Sequence, residues 1–574
     1  MRIVLTTLAV LACTASFAQL LINNVNLVDV EKQQIIAGQT VLVQDGKFSF
    51  IGKDIKFKLP GTTQVVDGTG KYLVPGFTDA HVHFFQSGGL FARPDAIDLR
   101  NMMPYDKEIK WTQDHMNDLL RRYLSLGITS VIDVGSTNNF LKQRQQFTGR
   151  PDVPNIAITG PLLTTWVPEP FKNLGDNSPF VLMKDEAQVR QAVQEQVKLK
   201  ADFIKIWYIV MGNDVEKAAA ASLPLVKVVI DEAHKHNLKV AVHATERIAA
   251  QNAVESGAGF LVHSVDDEVL GNDFLKLLKD KKTVLCPTLV VAGNYTKVLS
   301  HNYRFTTAEL LHVNPVTAAS ILDYPWPDTV KANRYIKNYS SAFAQKRQQR
   351  MDSVMRVNLK KLLDAGVTIA TGTDAGNTGT QHATSYAYEL SAMQQAGFTL
   401  WQLLQASTIN GARVLGVQHQ SGSIAVNKTA DALLLDANPA EQLGNWSKIA
   451  YVISKGRLIR PDTLVTVTPE SLVQQQLNAY NAHNLEAFLA PYADDVSLFM
   501  FPGTPAGKGK ESMRRDYQFI TTTPELYCKL LNRVVQGNMV IDHEEVYGLG
   551  DSPLHAVAIY IIEKGKIQKV YFKM

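Results

Sequence analysis

The pattern of hydrophobic and polar positions changes several times along the chain of 574 residues. Residues 20–74 form short apolar runs separated by turn residues such as the Asp45-Gly46 pair, which predicts a small β-domain. From residue 76 to about residue 411, strand-like apolar runs alternate with amphipathic stretches at helical spacing. Short strand patterns return in 412–467, and the last segment, 468–574, places helices before strands.

Eight apolar runs in the central region are candidate strands. They are residues 77–83, 128–134, 155–159, 203–207, 239–243, 260–263, 283–289 and 367–374. Eight strands with helical spacers over this length predict an α/β fold, a (β/α)8 TIM barrel over residues 76–411. The flanks, 19–75 and 412–467, are predicted to form one composite β-sandwich into which the barrel is inserted, and 468–574 an α+β cone-like domain.

An insertion from about residue 292 to residue 350 interrupts the barrel pattern before the eighth candidate strand. It contains Pro325-Trp326-Pro327 and the basic residues Lys346, Arg347 and Arg350. Two interpretations remain open. The insertion is either a lid over the site or a solvated helical pair packed on the barrel.

The first 18 residues differ in composition from the rest of the chain. Arg2 is their single charged residue, residues 3–12 are apolar, and Ser16-Phe17-Ala18 resembles a signal peptidase cleavage site. The pattern predicts a signal peptide and export to the periplasm or the extracellular space. Processing at Cys13 with a lipid anchor is the alternative. No later apolar stretch predicts a transmembrane span.

Composition narrows the range of partners. Hydrophobic residues make up 45% of the chain and charged residues 20%, as is ordinary for a globular protein with a full core. A formal net charge of +4 is too small to indicate binding to nucleic acid or to an anionic membrane. Beyond the first 18 residues the cysteines are Cys286 and Cys528, so no disulfide framework is expected.

Side chains that bind metals stand in or at the ends of the candidate strands. His81 and His83 are one residue apart in the first strand, so alternation places both on the same face. The candidates in later strands are Lys205, His243, His263 and Asp374. Each one alone has a structural interpretation, such as a packed histidine, a lysine paired with an acid, or a turn aspartate. Because a barrel gathers the carboxyl ends of its strands at one face, their common position favours a metal site.

This set of side chains permits a specific chemistry. Imidazole and carboxylate ligands suit zinc and other divalent first-row ions. A protonated lysine is a poor ligand, but carbon dioxide can add to the neutral amine of Lys205 and give a carbamate that bridges two metal ions. Asp374 is the candidate general base for a metal-activated water. Tyr208 and His382 are candidate substrate contacts, and packing or surface roles remain the alternatives for them.

Residues 21–460 resemble the metal-dependent amidohydrolase superfamily, in its imidazolonepropionase-like and dipeptidase-like branch. The resemblance is carried by Pro75-Gly-Phe-Thr-Asp-Ala-His-Val-His83, Ala201-Asp-Phe-Ile-Lys-Ile206, Val242-His-Ala244, Val262-His-Ser264 and Thr371-Gly-Thr-Asp-Ala375. It implies that His81, His83 and Asp374 hold one metal ion. It also implies that His243 and His263 hold the other and that a carboxylated Lys205 bridges the two. Zinc is the expected metal.

Residues 468–574 resemble the SnoaL-like, or nuclear-transport-factor-2-like, fold. The resemblance is carried by Leu477-Asn-Ala-Tyr-Asn-Ala-His-Asn-Leu485, Tyr492-Ala-Asp-Asp-Val496 and Val540-Ile-Asp-His-Glu-Glu545. That fold hosts enzymes, binding modules and dimer-forming units, so it does not determine a function. Tyr480, Asp494 and His543 are candidates to line a cone-shaped pocket. Alternatively, the domain docks on the rest of the chain or forms a homo-oligomer.

Together these patterns predict an exported dinuclear metal-dependent hydrolase of amide C–N bonds. Peptides and N-acyl amino acids are its expected small-molecule substrates. However, Trp207-Tyr-Ile-Val-Met-Gly212 follows the lysine where dipeptidase-like members tend to have a Gly-rich loop, which leaves dipeptide specificity open. A lactam, lactone or carbamate hydrolase using the same site is the second hypothesis. A non-catalytic protein that binds a small ligand is the third, and the complete set of candidate ligands argues against it.

Overall fold

The computed structural model describes residues 19–56, 58–324 and 328–574. The predicted signal peptide, the alternative processing site at Cys13 and the Pro325-Trp326-Pro327 segment lie outside the described residues. Within the described residues, no helix combines the length and the apolar character that crossing a membrane requires.

Five strands open the described chain. They are β1 (Leu20–Asp29), β2 (Gln34–Gln44), β3 (Lys47–Gly52), β4 (Gln64–Asp67) and β5 (Tyr72–Pro75). Asp45 and Gly46 join β2 to β3 with φ values of 51° and 73°. Two consecutive left-handed residues are what a tight hairpin turn requires, so the turn predicted from this pair is present.

The described part of the central region contains ten strands, most of them followed by helices. The strands are β6 (Phe77–Val82), β7 (Ile128–Asp133), β8 (Asn155–Ile158), β9 (Leu162–Thr164), β10 (Phe180–Leu182), β11 (Ile204–Trp207), β12 (Val240–His243), β13 (Phe260–Val262), β14 (Val284–Cys286) and β15 (Thr368–Ile369). The helices are α1 (Tyr105–Ser125), α2 (Asn138–Gln143), α3 (Glu186–Lys198), α4 (Val215–Lys235), α5 (Arg247–Glu255), α6 (Asn272–Asp280), α7 (Val291–Leu299), α8 (Thr307–His312), α9 (Pro315–Leu322), α10 (Thr329–Tyr339), α11 (Ala342–Asp364), α12 (Ser385–Gln395), α13 (Leu400–Ser407) and α14 (Ile409–Leu415).

The central strands form two parallel sheets. One has the order β6-β7-β8, and the other has the order β10-β9-β11-β12-β13-β14-β15. The two sheets meet beyond β15, where the amide of Ala80 donates to the Thr371 carbonyl at 2.9 Å and the amide of Asp374 to the His81 carbonyl at 2.7 Å. The predicted α/β class with parallel strands is confirmed. The ladders of the described strands do not join into one ring, so closure of the barrel stays a prediction.

Two features differ from the predicted strands. β9 and β10 are additional strands of three residues each, too short to produce a recognisable pattern. The eighth candidate, 367–374, is a strand only over Thr368–Ile369. The residues that follow leave the ladder because their backbone binds β6, and Asp374 then turns with a φ of 60°.

Three strands after the central region complete the first sheet. They are β16 (Ala432–Leu435), β17 (Ile449–Ser454) and β18 (Arg457–Ile459). The resulting eight-stranded sheet has the order β18-β17-β16-β5-β1-β2-β3, with β4 paired to β1. β16 runs antiparallel to β5, with Leu434 opposite Leu73. Two segments distant in sequence therefore share one sheet, and the central region lies between them in the sequence. The exact domain boundaries stay predictions.

The last segment combines helices with one six-stranded sheet. The helices are α15 (Pro469–Asn481), α16 (Leu485–Leu489), α17 (Lys510–Asp516) and α18 (Phe519–Thr522). The strands are β19 (Tyr492–Met500), β20 (Thr504–Lys508), β21 (Tyr527–Gln536), β22 (Met539–Tyr547), β23 (Leu554–Glu563) and β24 (Lys566–Lys573), in the sheet order β20-β19-β24-β23-β22-β21.

The insertion connects the central region to this C-terminal domain. It consists of helices α7–α11, of which α8 and α9 contact α15 and α16. Asn478 donates its side-chain amide to the Pro315 carbonyl at 2.7 Å, and the Tyr527 hydroxyl donates to Asp323 at 2.7 Å. The insertion thus packs as helices against the C-terminal domain, a contact that neither interpretation includes, and both the lid and the helical pair on the barrel stay predictions.

Candidate metal centre

The six side chains selected from the sequence come together at one end of the central strands. They are His81 and His83 at the end of β6, Lys205 within β11, His243 at the end of β12, His263 after β13 and Asp374 after β15. Five of them line one cavity of about 50 Å³, and the sixth, His81, is completely buried. Parallel strands end at the same edge of a sheet, which explains how residues almost 300 positions apart can meet.

Asp374 lies against the histidine pair of β6. Its Oδ1 atom is 3.1 Å from Nε2 of His81 and 3.0 Å from Nε2 of His83, and these two nitrogens are 3.2 Å apart. Nδ1 of His83 is 2.7 Å from the Gly135 carbonyl, to which it donates its proton. The lone pair of His83 Nε2 therefore faces Asp374, in the tautomer that a metal ligand adopts.

His243 and His263 form the second pair of imidazoles. Their ring centroids are 4.2 Å apart, and the centroid of His81 is 4.9 Å from that of His263. The potential donor atoms of His81, His263 and Asp374 all lie within 4.8 Å of one another. Nδ1 of His263 is 2.7 Å from the Thr288 hydroxyl, which fixes the orientation of the ring. The two pairs thus share one site.

Lys205 is buried beside these imidazoles, with 1% of its surface exposed. Burial lowers its pKa to about 7, although the nearby charge of Asp374 acts in the opposite direction. Across residues 19–56, 58–324 and 328–574, no carboxylate forms an ion pair with Lys205. The interpretation of Lys205 as an amine paired with an acid therefore lacks the acid. A substantial neutral fraction near pH 7 is the form of the amine that reacts with carbon dioxide.

Burial also governs the protonation of the other groups. It lowers the pKa of His81 to about 3 and holds the pKa values of His243 and His263 well below their usual range. Burial raises the pKa of Asp374, but its contacts with His81 and His83 outweigh that effect and hold the pKa well below its usual range. Neutral imidazoles beside an ionised carboxylate are the protonation state in which these residues bind metals.

Asp374 Oδ1 has no hydrogen-bond partner in the part of the chain that the structure describes. Its contacts with the two imidazole nitrogens are 3.1 and 3.0 Å long and are not counted as hydrogen bonds. Leaving a buried acceptor unsatisfied costs about 1–3 kcal/mol, and more when the group is charged. A cation at the point where the carboxylate and the imidazoles converge would remove this cost, so the donor set fits a divalent metal ion.

The backbone is strained at two of these residues. Asp374 and His263 have φ values of 60° and 79°, in the left-handed region that residues other than glycine seldom adopt. Gly372 allows the Asp374 loop to approach β6, since a Cβ atom there would lie 2.7 Å from the His81 amide nitrogen and 2.5 Å from Cys286 Sγ. Strain of this kind persists where surrounding contacts impose it, as is typical of functional sites.

Sequence reasoning missed the group of residues that supports the Asp374 loop. The side-chain amide of Asn377 donates to the Asp374 carbonyl at 2.9 Å. Its Oδ1 accepts from Arg93 Nη1 and from the Tyr295 hydroxyl, both at 2.6 Å. Arg93 also forms a bidentate pair with Asp95 at 2.8 and 2.6 Å. These residues come from three separate segments, so no local pattern signals them.

Two buried aspartates beside the histidines were missed as well. Asp79 accepts a hydrogen bond from the Thr373 hydroxyl at 2.7 Å, and Asp133 lies 3.9 Å from Nδ1 of His83. Burial raises the pKa of each to about 7. Asp133 ends β7, so the rule that selected the ligands at strand ends also points to this residue.

Gln86, Arg93 and Asn377 also line the cavity, and the rest of its wall is apolar. The apolar part is formed by Phe85, Leu162, Phe180 and Trp207. The rings of Phe180 and Trp207 stack with centroids 4.7 Å apart. β9 and β10, which the sequence did not predict, carry Leu162 and Phe180. A molecule in the cavity would therefore contact an apolar surface on one side and the polar cluster on the other.

The two predicted substrate contacts lie outside the cavity lining. Tyr208 is completely buried, and its hydroxyl donates to the Ala219 carbonyl. His382 is also buried, with Nδ1 3.0 Å from the Tyr123 hydroxyl and Nε2 2.8 Å from the Gln86 carbonyl. His382 thereby supports Gln86, a residue of the lining. Direct contact of either side chain with substrate stays a prediction.

The structure does not bring together the three residues suggested for a C-terminal pocket. Tyr480 packs against Phe488 with centroids 6.0 Å apart. Asp494 is exposed and forms an ion pair with Lys510 at 2.9 Å, and His543 is exposed on β22. The buried polar residues of this domain are different ones, such as Asp542 and Glu544.

Two family models match the chain. The model of the amidohydrolase family covers residues 72–459, and that of the SnoaL-like domain covers residues 473–570. An imidazolonepropionase of Shouchella clausii (strain KSM-K16) is 23% identical over 469 residues, which cover 75% of this chain and 87% of that protein. An adenine deaminase of Mesorhizobium japonicum is 41% identical over 66 residues, 12% of this chain and 11% of that protein. Several curated relatives are thus matched over only 11% to 24% of their length.

A solved structure is similar over most of the chain. The structure of a Xaa-Pro dipeptidase with bound methionine in its active site has a TM-score of 0.58 and 21% sequence identity. The similarity covers 77% of this chain and 100% of that one. At this identity the likeness supports the α/β fold and leaves the chemistry to the site itself.

Proposed function

The chain belongs to the amidohydrolase family, and from this premise we propose that it is a metal-dependent hydrolase of amide C–N bonds. The observation that carries the proposal is the convergence of Asp374 Oδ1 on the imidazoles of His81 and His83 at 3.1 and 3.0 Å. A charged oxygen buried without a hydrogen bond is costly unless a ligand completes its environment. The lack of a hydrogen-bond partner for Oδ1 among the described residues therefore supports a cation as that ligand.

We further propose two metal positions, with zinc as the expected metal. His81, His83 and Asp374 would hold one ion, and His243 and His263 the other. Divalent ions in such a site lower the pKa of water and polarise a carbonyl group. Lys205 would join the two positions as a carbamate. Its neutral amine forms an N–C bond to carbon dioxide and releases one proton, which leaves an anion with two oxygen ligands.

The protein's own residues supply the proton transfers and the orientation. Asp374, ionised because its pKa is held low, accepts the proton of the attacking water and returns it to the leaving amine. Asn377 holds the backbone of Asp374 through its carbonyl, so the carboxylate stays aimed at the histidines. Preorganisation of this kind reduces the reorganisation that the reaction requires.

The lining of the cavity supports an amide with an apolar group next to the scissile bond. Phe85, Leu162, Phe180 and Trp207 provide the complementary surface. We therefore propose N-acyl amino acids and small peptides with apolar side chains as substrates. Lactams, lactones and carbamates are the alternative, because the same site also suits those carbonyl groups. The third candidate is a non-catalytic protein that binds a small ligand. Its support is the C-terminal domain, whose fold also hosts binding modules.

The test starts from the full chain purified after growth with zinc and bicarbonate. We expect two metal equivalents per chain and hydrolysis of one class in a panel of N-acyl amino acids, dipeptides, lactams, lactones and carbamates. Asp374→Asn serves as the matched inactive control. Fewer than one tightly bound metal ion per chain would contradict the dinuclear site. Two bound ions without hydrolysis of any class would favour the binding protein.

Export is proposed on the basis of residues 1–18, whose composition is that of a signal peptide. Expression of the full chain in a bacterium, followed by fractionation and determination of the mature N-terminus, tests it. We expect a mature chain that begins at Gln19. A chain that begins at a lipid-modified Cys13 would support the anchor, and an unprocessed chain would contradict export.

A homo-oligomer through the C-terminal domain is proposed on the basis of one apolar row across its sheet. The row consists of Phe499, Tyr571, Ile559, Ile541 and Val534, which are direct neighbours on β19, β24, β23, β22 and β21. A two-fold axis would set this row against its copy. We expect light scattering to show a dimer that Ile559→Arg dissociates and Glu563→Arg, at the end of the same strand, preserves. A monomeric wild-type chain would contradict it.

A further inference from the structure

A second and larger cavity lies away from the metal centre, between the insertion and the C-terminal domain. Its volume is about 630 Å³, within the range of small-molecule sites. The insertion contributes the end of α7, the loop after it and the end of α9, and the C-terminal domain contributes the end of α15 and the segment before β21. We call this cavity the junction cleft. Because both units form its walls, a molecule bound there would contact both.

The polar groups of the junction cleft favour an anion. Arg304 lines it, and in the described part of the chain its guanidinium forms no ion pair and donates only to the carbonyls of His301 and Tyr303, at 3.3 and 3.0 Å. The imidazoles of His301 and His483 also line the cleft. Among the described residues of the lining, Glu525 is the single acidic one. Donors that lack an acidic partner are available to a carboxylate.

The junction cleft also has an apolar wall. This wall is formed by Phe305, Ile321, Leu322 and Leu526. A site that combines such a wall with a guanidinium that has no ion pair among the described residues suits a small molecule that has a carboxylate and an apolar body. Burial and the charge of Arg304 lower the pKa of His301, so Arg304 is the permanent positive charge in the cleft.

One helix connects the junction cleft to the metal centre. Val298 of α7 lines the cleft and also packs against the loop that carries Asp374, where a Cβ atom on Gly379 would lie 2.7 Å from Val298 Cγ2. Tyr295, one turn earlier on α7, donates to Asn377, which in turn binds the Asp374 carbonyl. A shift of α7 would therefore reach the catalytic loop through direct contacts.

We propose that the junction cleft binds small organic carboxylates with an apolar body and that its occupancy stabilises the Asp374 loop through α7. The site is separate from the metal centre. Binding to it does not require the hydrolytic activity, so the two proposals can fail independently. Coupling between two such sites typically changes affinity or activity about 5- to 150-fold.

Isothermal titration of the zinc-loaded full chain with 3-phenylpropionate tests the binding. This probe has a carboxylate and an apolar body but no amide bond. We expect saturable binding, at least roughly tenfold weaker binding in Arg304→Gln, and no binding of the neutral analogue 3-phenylpropan-1-ol. Glu525→Gln should bind the probe more tightly because it removes a like charge. Arg334→Gln, an exposed arginine of α10 outside the cleft, is the matched control and should bind as the wild type does.

Hydrogen exchange of residues 376–380 tests the coupling. We expect the probe to slow exchange there in the wild type and to have a smaller effect in Tyr295→Phe, which removes the hydroxyl that α7 donates to Asn377. Binding that survives Arg304→Gln but is lost in Asp374→Asn would place the probe at the metal centre and overturn the site. Tight binding without any change in exchange at 376–380 would overturn the coupling.

Discussion

Two buried aspartates, Asp374 and Asp542, show how differently the central region and the C-terminal domain treat a buried charge. Asp542 on β22 accepts a bidentate pair from Arg533 at 2.7 and 2.6 Å, and Arg533 also donates to Gln474. In the described chain no cationic side chain forms such a pair with Asp374. Its Oδ1 faces the imidazoles of His81 and His83 and has no hydrogen bond in the described chain.

This difference separates a structural charge from a ligand-binding one. A buried ion pair that satisfies its own hydrogen bonds is complete without a ligand. An ionised carboxylate that faces neutral nitrogens has no positive counter-charge beside it. A metal ion bound between these groups would supply that charge. Substitutions at the two aspartates should therefore separate activity from stability.

The largest effect is expected for Asp374→Asn. The amide keeps the size of the side chain but cannot accept the proton of water and is a weaker metal ligand. We expect kcat/KM to fall by about 10²- to 10⁴-fold, the usual contribution of a general base, together with loss of bound metal. Steady-state kinetics and metal analysis measure both. Asp542→Asn should keep its activity per folded molecule, and similar losses of activity in both variants would contradict the comparison.

The second-largest loss of activity is expected for Lys205→Ala. Removing the amine removes the proposed carbamate, so we expect the second metal equivalent to be lost and activity to fall by at least about 10²-fold. Short carboxylates such as propionate should restore part of the activity if they replace the carbamate oxygens. The control is Lys239→Ala, which should remain active. Lys239 directly precedes β12 and donates to the Arg413 and Val414 carbonyls. Full activity and metal content in Lys205→Ala would exclude a bridging role.

Asp542→Asn is expected to lower stability rather than activity. It leaves the buried guanidinium of Arg533 without its counter-charge, which typically costs about 3–5 kcal/mol. Denaturant unfolding followed in the C-terminal domain should show this loss. The double variant Asp542→Leu with Arg533→Met, which removes both charges, should recover much of it. A destabilisation below about 1 kcal/mol in the single variant would mean that the pair is not a structural charge.

The smallest effect is a pH dependence in the same domain. Burial raises the pKa of Glu544 from 4.5 to about 8. Between these values the native state holds a proton that the unfolded state has lost, so this group's contribution to the free energy of unfolding falls as pH rises and levels off above pH 8. Glu544→Gln should therefore gain stability relative to the wild type across that window, by up to a few kcal/mol, on the order expected for such a shift.

Thermal unfolding of both proteins from pH 4 to pH 9 measures this difference. Glu545→Gln, the adjacent residue on the other face of β22, is the control and should keep the pH profile of the wild type. Parallel profiles for the wild type and Glu544→Gln would show that Glu544 is not held protonated by burial.

The residues of the site that the sequence predicted belong to local patterns. The residues that it missed are defined by contacts with partners far away in the sequence. The His81-Val-His83 spacing and the place of Asp374 in the last apolar run are local features of the sequence, and the structure brings these three side chains within 3.2 Å. Asn377 is different, because its partners Arg93 and Tyr295 lie in other loops and helices. Nothing in the local pattern marks an asparagine that is held by two distant donors.

The amino-acid sequence alone determined the α/β class, the family resemblance and the candidate ligands, because side-chain type and strand alternation are local properties. Only the tertiary structure decided that the ladders of the central region form two sheets. It also revealed the short strands β9 and β10 that supply an apolar wall, and the route along α7 from the junction cleft to the Asp374 loop. These features depend on contacts between segments far apart in the chain, and closing such contacts is a property of the whole fold.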